Sequence, residues 1–146
     1  MREDIYNSIS AIQTAKIGKG IAKGLSGGEV ICFYGDLGSG KTTMISGIIK
    51  FFYPGKRVLS PTFIIVRHYG IMNNPIENIY HADLYRLDSI RSIEETGLFS
   101  FFHEPKNIVL VEWAEKLEKS LPRKRWDIYL KMTSESEREI KIIKHG

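Results

Sequence analysis

The sequence predicts an α/β fold, a three-layer sandwich built around a mixed central sheet. Its 146 residues fit a single domain, residues 1–146. Two continuous apolar runs, residues 30–34 and 107–113, have the length and composition of strands that are buried on both faces, as parallel strands are. Alternating apolar and polar residues near the C-terminus add an antiparallel hairpin, which makes the sheet mixed.

The first predicted element is a helix over residues 11–24. Ser10 followed by Gln13 forms the pattern of a capping box, and apolar residues recur after it mostly at helical spacing. The buried strand 30–34 comes next. A glycine-rich loop follows it and leads into an apolar helix over residues 42–52. The order is therefore strand, loop, helix.

The middle of the chain predicts a second hairpin. Its strands cover residues 62–69 and 79–85, with a turn at residues 73–75. A short helix is predicted over residues 89–97, ahead of the second buried strand.

The C-terminal part begins with a helix over residues 114–119, which Pro122 ends. Residues 125–132 and 138–143 alternate apolar and polar side chains on either side of a polar turn at residues 134–136. This pattern predicts the terminal hairpin.

Composition excludes several classes of protein. With 42% hydrophobic and 26% charged residues and a single cysteine, Cys32, the chain is not disordered, collagen-like or a disulfide scaffold. The longest stretch without a charged residue is eleven residues, 5–15, which is too short to span a bilayer. No apolar segment follows a basic start at the N-terminus, so we expect no membrane association and a cytoplasmic location.

The net charge is +4, and most of it lies in residues 115–146, which hold nine Lys and Arg against six Asp and Glu. This balance permits contact with the phosphates of a nucleotide or an RNA without requiring it. An ordinary solvated surface is the interpretation that we favour.

One motif carries a specific chemistry. Residues 35–42, the phosphate loop, fit the pattern G-x-x-x-x-G-K-[ST] and lie between a buried strand and a helix, as that pattern requires. Its glycines let the backbone wrap around phosphates, and the following helix adds its positive end. Lys41 supplies a charge, and Thr42 a hydroxyl that can ligate Mg²⁺. The predicted nucleotide-binding residues are Gly35, Asp36, Leu37, Gly38, Ser39, Gly40, Lys41, Thr42 and Thr43.

Two carboxylates beside this loop are candidates for a metal ligand or a catalytic group. Glu112 lies at the carboxyl end of a predicted buried strand, where an acid can hold the metal or its water, so we predict Thr42 and Glu112 on the metal side. The alternative is a glutamate that only bonds to the start of a helix. Asp83 is the competitor, and strand alternation places it on one face with His81. Either it polarises the attacking water, or it pairs structurally with His81 or with a neighbour of Arg86.

A possible switch segment follows the phosphate-loop helix. Many P-loop proteins place a switch at this point, where Thr62 would sense the γ-phosphate or the metal. The other interpretation is a turn with Pro61 at its corner. Trp113, next to Glu112, is a lid, a partner contact or, as for most tryptophans, part of the core.

Four motifs in the chain together resemble a known family. They are Gly35-Asp36-Leu37-Gly38-Ser39-Gly40-Lys41-Thr42-Thr43, Ser60-Pro61-Thr62-Phe63, His81-Ala82-Asp83-Leu84-Tyr85-Arg86-Leu87 and Val111-Glu112-Trp113. In this order they resemble the TsaE (YjeE) family, the bacterial ATPase of tRNA threonylcarbamoyladenosine biosynthesis. The likeness runs from about residue 10 to residue 143.

The resemblance implies a P-loop NTPase-like domain that binds ATP and Mg²⁺ and is a weak ATPase alone. It would work with the TsaB–TsaD pair, which transfers threonylcarbamoyl to adenosine 37 of tRNAs that read codons beginning with A, and would contact tRNA indirectly or weakly. By matching motif positions, the residues carried over are Lys41 for the phosphates and catalysis, Thr42 and Glu112 for Mg²⁺, Asp83 for hydrolysis, Thr62 for a switch-like segment and Arg138 near the nucleotide.

Two other functions compete with this interpretation. A P-loop small-molecule kinase would need a second substrate cleft and an arginine-rich lid, and residues 123–125 are the chain's only basic cluster. A non-catalytic RNA-binding module would use the basic C-terminal part. A GTPase is disfavoured, because the sequence contains no Asn-Lys-x-Asp motif to read a guanine base.

Overall fold

The computed structural model describes residues 1–72 and 74–146. The strands are β1 (Arg2–Ser8), β2 (Val30–Tyr34), β3 (Val66–Gly70), β4 (Asn78–Asp83), β5 (Asn107–Glu112), β6 (Arg125–Met132) and β7 (Arg138–His145). The helices are α1 (Ala11–Ala22), α2 (Lys41–Phe52) and α3 (Ile90–Glu95), with 3₁₀ helices at Leu98–Phe101 and Ala114–Ser120. Within the described ranges, no helix is long and apolar enough to cross a membrane.

The strands form one mixed sheet, as predicted, in the order β1-β7-β6-β2-β5-β4-β3. β6, β2, β5 and β4 run parallel, while β1, β7 and β6 pair antiparallel at one end and β3 pairs antiparallel with β4 at the other. Parallel strands end at a common edge of the sheet. The phosphate loop after β2, Asp83 of β4 and Glu112 of β5 therefore meet at that edge.

Helices cover both faces of the sheet, which confirms the predicted three layers. The core on one face joins residues of α1 and α2 to alternate residues of the strands. The core on the other face joins α3 and the two 3₁₀ helices to the intervening strand residues. Cys32 lies fully buried in this second core, and burial raises the pKa of its thiol to about 12, so it is a packing residue.

The structure corrects the prediction at the N-terminus, where β1 was not foreseen. Its side chains are mostly exposed, so the sequence shows little hydrophobic alternation there. The strand forms because β7 offers a free edge, with Tyr6 opposite Ile140. Pairing with a segment more than 130 residues away is not visible in a local pattern.

The hairpin of β3 and β4 exists, but its strands are shorter than predicted. The predicted strand 62–69 begins only at Val66, because the amides of Ile64 and Ile65 donate to the Pro61 carbonyl at 3.0 and 2.6 Å and form a turn. The predicted strand 79–85 ends at Asp83, whose carboxylate accepts the Tyr85 amide at 3.0 Å. The predicted turn 73–75 includes residue 73, which lies outside the described residues.

The predicted helices are present with shifted ends. The first ends at Ala22 rather than residue 24, and the short helix predicted over 89–97 is α3 followed by a 3₁₀ helix. The predicted helix 114–119 is a 3₁₀ helix over Ala114–Ser120. The Ser10 half of the capping box is confirmed, because Ser10 Oγ accepts the Gln13 amide at 3.1 Å. The other half is shifted by one residue, since Gln13 Oε1 accepts the amide of Ile9 at 2.7 Å instead of that of Ser10.

Alanine substitutions at two glycines, one on α1 and one on α2, are expected to have opposite effects on the stability of the fold. A Cβ atom on Gly47 would lie 2.0 Å from the Ala15 carbonyl oxygen across the helix interface, whereas one on Gly20 would meet nothing within 4 Å. We expect Gly47→Ala to lower the free energy of unfolding by about 1–3 kcal/mol through overpacking. Gly20→Ala should raise it by about 0.4–1 kcal/mol, because alanine restricts the unfolded chain. Urea unfolding followed by circular dichroism measures both, and equal stability of the two variants would contradict the packing of α1 on α2.

Candidate nucleotide-binding site

A cavity with a volume of about 700 Å³ opens at the edge where β2, β4 and β5 end. The phosphate loop forms one wall of this cavity, and the start of α1 and the turn between β6 and β7 form another. Asp83 and Glu112 also line the cavity, and they are paired residues of the neighbouring strands β4 and β5. A cavity of this size at the carboxyl edge of parallel strands is where such folds bind ligands.

The phosphate loop has a backbone that only glycine adopts easily. Gly35, Gly38 and Gly40 have φ angles of 152°, 78° and 101°. A Cβ atom on Gly35 would lie 2.5 Å from the Leu130 carbonyl oxygen, so the loop and β6 are in close contact there. Gly40 begins α2 without a side-chain cap. The first amides of a 12-residue helix therefore face the cavity unsatisfied by a side chain, which suits an anion.

Lys41 is the cation of the loop, and its side chain is held in place. Its Nζ donates to the carbonyl of Gly35 and, at 3.1 Å, to that of Asp36, and lies 4.4 Å from the ring centre of Trp113. Burial lowers the pKa of Lys41, and the carboxylates of Glu112, Glu115, Asp83 and Asp36 act against that shift. The ammonium group therefore lies beside the cavity and donates to neutral carbonyls. Negatively charged phosphate oxygens are stronger acceptors and can replace them.

Thr42 and Glu112 meet as the sequence predicts for a metal side. The Thr42 hydroxyl donates to Glu112 Oε1 at 3.1 Å and lies 3.3 Å from Oε2. Both residues line the cavity. His81 Nε2 contacts Glu112 Oε2 at 2.6 Å, so the alternative in which His81 pairs with Asp83 is wrong.

Asp83 forms a hydrogen bond with Thr62, the residue that defines the predicted switch segment. Its Oδ2 accepts the Thr62 hydroxyl at 2.7 Å, and its amide donates to the Ile65 carbonyl at 2.8 Å. Its Oδ1 accepts the amide of Tyr85, a neighbour of Arg86. The structure thus brings Thr62 and Asp83 together at the cavity, and Asp83 has a structural bond in addition to any chemical role.

Ile65, in the same segment, has a φ angle of 71°, which is rare for a β-branched residue. Such strain persists where surrounding contacts enforce it. The contacts here are the bonds of Thr62 and Ile65 to Asp83. No sequence pattern signals this strain, because isoleucine is not a residue that predicts positive φ.

Arg138 lies at the edge of the cavity, but its guanidinium is occupied. It donates to the carbonyls of Gly38 and Ser39 in the phosphate loop, each at 3.1 Å. It also donates to three carbonyls of the β6–β7 turn, those of Ser134, Glu135 and Glu137, at 3.0–3.2 Å. Arg138 therefore joins that turn to the loop, and in this structure its contact with the nucleotide region runs through loop carbonyls.

The remaining loop residues lie as follows. Ser39 is buried and Leu37 is 66% exposed at the tip of the loop. Leu37, Gly38, Ser39, Gly40 and Thr43 line the cavity. Sequence reasoning missed Ser10, Thr14, Glu135 and Ser136, which also line it. Polar residues on one face of a capped helix gave only a weak signal for the first two.

The donors at the site fit Mg²⁺. The described residues contain no group of three His, Cys, Asp or Glu side chains that could hold a metal ion by themselves. Mg²⁺ is usually bound by one or two protein oxygens, with substrate phosphates and water completing its shell. The hydroxyl of Thr42 and the carboxylate of Glu112 offer such oxygens beside the phosphate loop.

Comparisons with known proteins point to one family. The family model described as "Threonylcarbamoyl adenosine biosynthesis protein TsaE" matches residues 8–140. The chain is 35% identical over 140 residues to the tRNA threonylcarbamoyladenosine biosynthesis protein TsaE of Bacillus subtilis (strain 168), covering 96% of this chain and 85% of that protein. It is 34% identical over 132 residues to the protein of the same name from Rickettsia felis, covering 90% and 74%. The crystal structure of Bacillus subtilis YdiB superposes with a TM-score of 0.81 at 30% identity, covering 99% of this chain and 87% of that one.

Proposed function

The chain belongs to the TsaE family of tRNA threonylcarbamoyladenosine biosynthesis proteins, and on that premise we propose that it is a Mg²⁺-dependent ATPase that supports the TsaB–TsaD complex. The complex forms N6-threonylcarbamoyladenosine at position 37 of tRNAs that read codons beginning with A. The proposed single P-loop ATPase domain acts in the cytoplasm and contacts tRNA indirectly or weakly. One observation carries the ATPase proposal: the Thr42 hydroxyl bonds Glu112 beside a glycine loop whose helix has no side-chain cap.

The proposed reaction is in-line attack of water on the γ-phosphate. The loop amides and Lys41 bind the phosphates and stabilise the charge that builds up on them. Thr42 and Glu112 would hold Mg²⁺, which would neutralise negative charge on the phosphates. Asp83 orients the attacking water or takes its proton, after Thr62 exchanges its bond to that carboxylate. As the bond from water to the γ-phosphorus forms, the bond from that phosphorus to the β,γ-bridging oxygen breaks and ADP leaves; where Asp83 acts as the base, the proton of the attacking water passes to its carboxylate.

The kinase alternative finds little support in the fold. Arg125, in the basic cluster 123–125, begins β6 and bonds Asp127 at 3.0 Å. β6 runs parallel to β2, so its start lies at the edge of the sheet opposite the phosphate loop. A lid must close over the phosphates, and this cluster is not placed to do so.

Reconstitution tests the proposal. The chain is purified with the TsaB and TsaD proteins of the same genome, with and without ATP, and phosphate release and tRNA modification are then measured together. We expect the three proteins to associate, and both activities to need this chain, ATP and Mg²⁺. Failure to associate under either condition would remove the pathway role while leaving the nucleotide site in place. Transfer of phosphate to a small molecule instead of water would favour a kinase.

The metal assignment predicts an order of effects. Glu112→Ala should weaken the Mg²⁺-dependent part of ATP binding by roughly tenfold or more, because it removes a ligand beside Thr42. Asp83→Ala should weaken it less, since Thr62 and not Thr42 bonds Asp83. Calorimetry with ATP, once in EDTA and once in excess Mg²⁺, separates the contribution of Mg²⁺ to the ATP affinity from the binding of the nucleotide alone. The reverse order would exchange the roles of the two carboxylates.

A further inference from the structure

A buried histidine stands directly behind the candidate metal ligand. His81, on β4, is 0% exposed, and its Nε2 lies 2.6 Å from Oε2 of Glu112, itself 3% exposed. A carboxylate only accepts hydrogen bonds, so Nε2 carries the proton and donates. His81 does not line the cavity, whereas Glu112 and Thr42 do. The ring thus reaches the site only through the carboxylate.

The other ring nitrogen shows why this residue is unusual at its position. Nδ1 is buried and has no hydrogen-bond partner among the described residues. A buried polar atom without a partner costs free energy. Three neighbouring positions on the same face, Ile79, Ile108 and Leu110, are apolar, and Arg67 of β3 lies opposite His81. An apolar side chain would fill this place at lower cost, so the bond to Glu112 is the feature that accounts for a histidine.

The bond fixes which way the Glu112 carboxylate points. Oε2 accepts from His81 on the buried side, and Oε1 is the oxygen nearer the Thr42 hydroxyl, at 3.1 Å. The bond therefore holds the carboxylate from its buried side. Ligating carboxylates that are hydrogen-bonded from behind hold metals more tightly than free ones.

We propose that His81 is a positioning residue for the metal site, which holds Glu112 with Oε1 toward Thr42 and the cavity. This inference rests on the proposed function, because it takes Thr42 and Glu112 as the metal side. It assigns His81 no contact with nucleotide, metal or water. Its loss should therefore weaken metal binding and leave metal-free nucleotide binding unchanged.

Two amide variants test the proposal. Glutamine places its amide nitrogen near the position of Nε2, whereas asparagine is one methylene shorter and cannot reach Glu112. In the complex with ADP, we expect His81→Asn to raise the dissociation constant of Mn²⁺ roughly 10–100-fold, measured by electron paramagnetic resonance of free Mn²⁺. His81→Gln should bind Mn²⁺ close to wild type. Both should bind ADP in EDTA as the wild type does, by calorimetry.

The controls separate positioning from folding and from failure of the proposed function. Where His81→Asn does not fold, judged by its thermal melt, His81→Met replaces it, since methionine fills the volume without a donor. In a Glu112→Ala background, His81→Asn should cause no further loss of Mn²⁺ binding. Wild-type Mn²⁺ affinity in the donor-less variant, or equal loss in His81→Gln, would overturn the role of His81. A wild-type chain that binds neither ADP nor Mn²⁺ would instead refute the proposed function.

Discussion

Replacing Lys41 with alanine is expected to lower ATP hydrolysis about 100–1,000-fold in the complex with partner proteins, the range for removing one preorganised donor from a developing negative charge. Lys41 is 5% exposed and its ammonium lies at the cavity, held by the carbonyls of Gly35 and Asp36. Alanine keeps the backbone of α2 but removes this charge. Phosphate release under saturating ATP measures the effect on the chemical step, and calorimetry measures the loss of ATP affinity.

Lys50 provides a matched control on the same helix. It is exposed in the last turn of α2, about 14 Å along the helix from Lys41 at 1.5 Å per residue. Lys50→Ala should leave hydrolysis and ATP affinity unchanged. Hydrolysis by Lys41→Ala at the wild-type rate would show that the phosphates bind elsewhere, and a drop of equal size in both variants would indicate a general effect of charge.

The parts of the fold that the sequence predicts are those whose signal is local. β2 and the centre of β5, residues 108–111, are continuous apolar runs because both of their faces are buried. β1 is an exposed edge strand, so its residues carry no such requirement. Its place depends on β7, and one sequence does not reveal which distant segment offers an edge.

The features of the candidate site also differ in whether their sequence signal is local. The phosphate loop is contiguous, so its spacing alone indicates it. Glu112 is recognisable because a carboxylate at the end of a buried strand is unusual. The bond from His81 to Glu112 depends on the parallel register of β4 and β5, which places Asp83 beside Glu112 and lets His81 reach diagonally. The bonds of Arg138 to the loop cross 99 and 100 residues and are set by the fold alone.

The bond between Thr62 and Asp83 adds a conformational element to the site. A water molecule that donates to Asp83 competes with the Thr62 hydroxyl for Oδ2. Release of Thr62 removes one of the contacts that hold Ile65 at a φ angle of 71°. The residues next to Thr62 are exposed and apolar, with Phe63 82% and Ile64 52% exposed. An exposed apolar pair thus lies directly after the residue that bonds Asp83.

Asp83→Asn is expected to lower ATP hydrolysis about 100–10,000-fold, the contribution usual for a general base, while nucleotide and Mg²⁺ affinity stay close to wild type. Asparagine has the same shape, its Oδ1 can still accept the Tyr85 amide, and its amide nitrogen can donate to the Thr62 hydroxyl oxygen, so the end of β4 and the segment around Thr62 keep their contacts with it. What it loses is the charge that orients or deprotonates water. Single-turnover hydrolysis measures the chemical step, with Asp88→Asn, an exposed aspartate nearby, as the control that should behave as wild type. If Asp83→Asn hydrolyses ATP normally, the carboxylate serves only to cap its turn, and if it loses Mg²⁺ affinity instead, Asp83 belongs on the metal side.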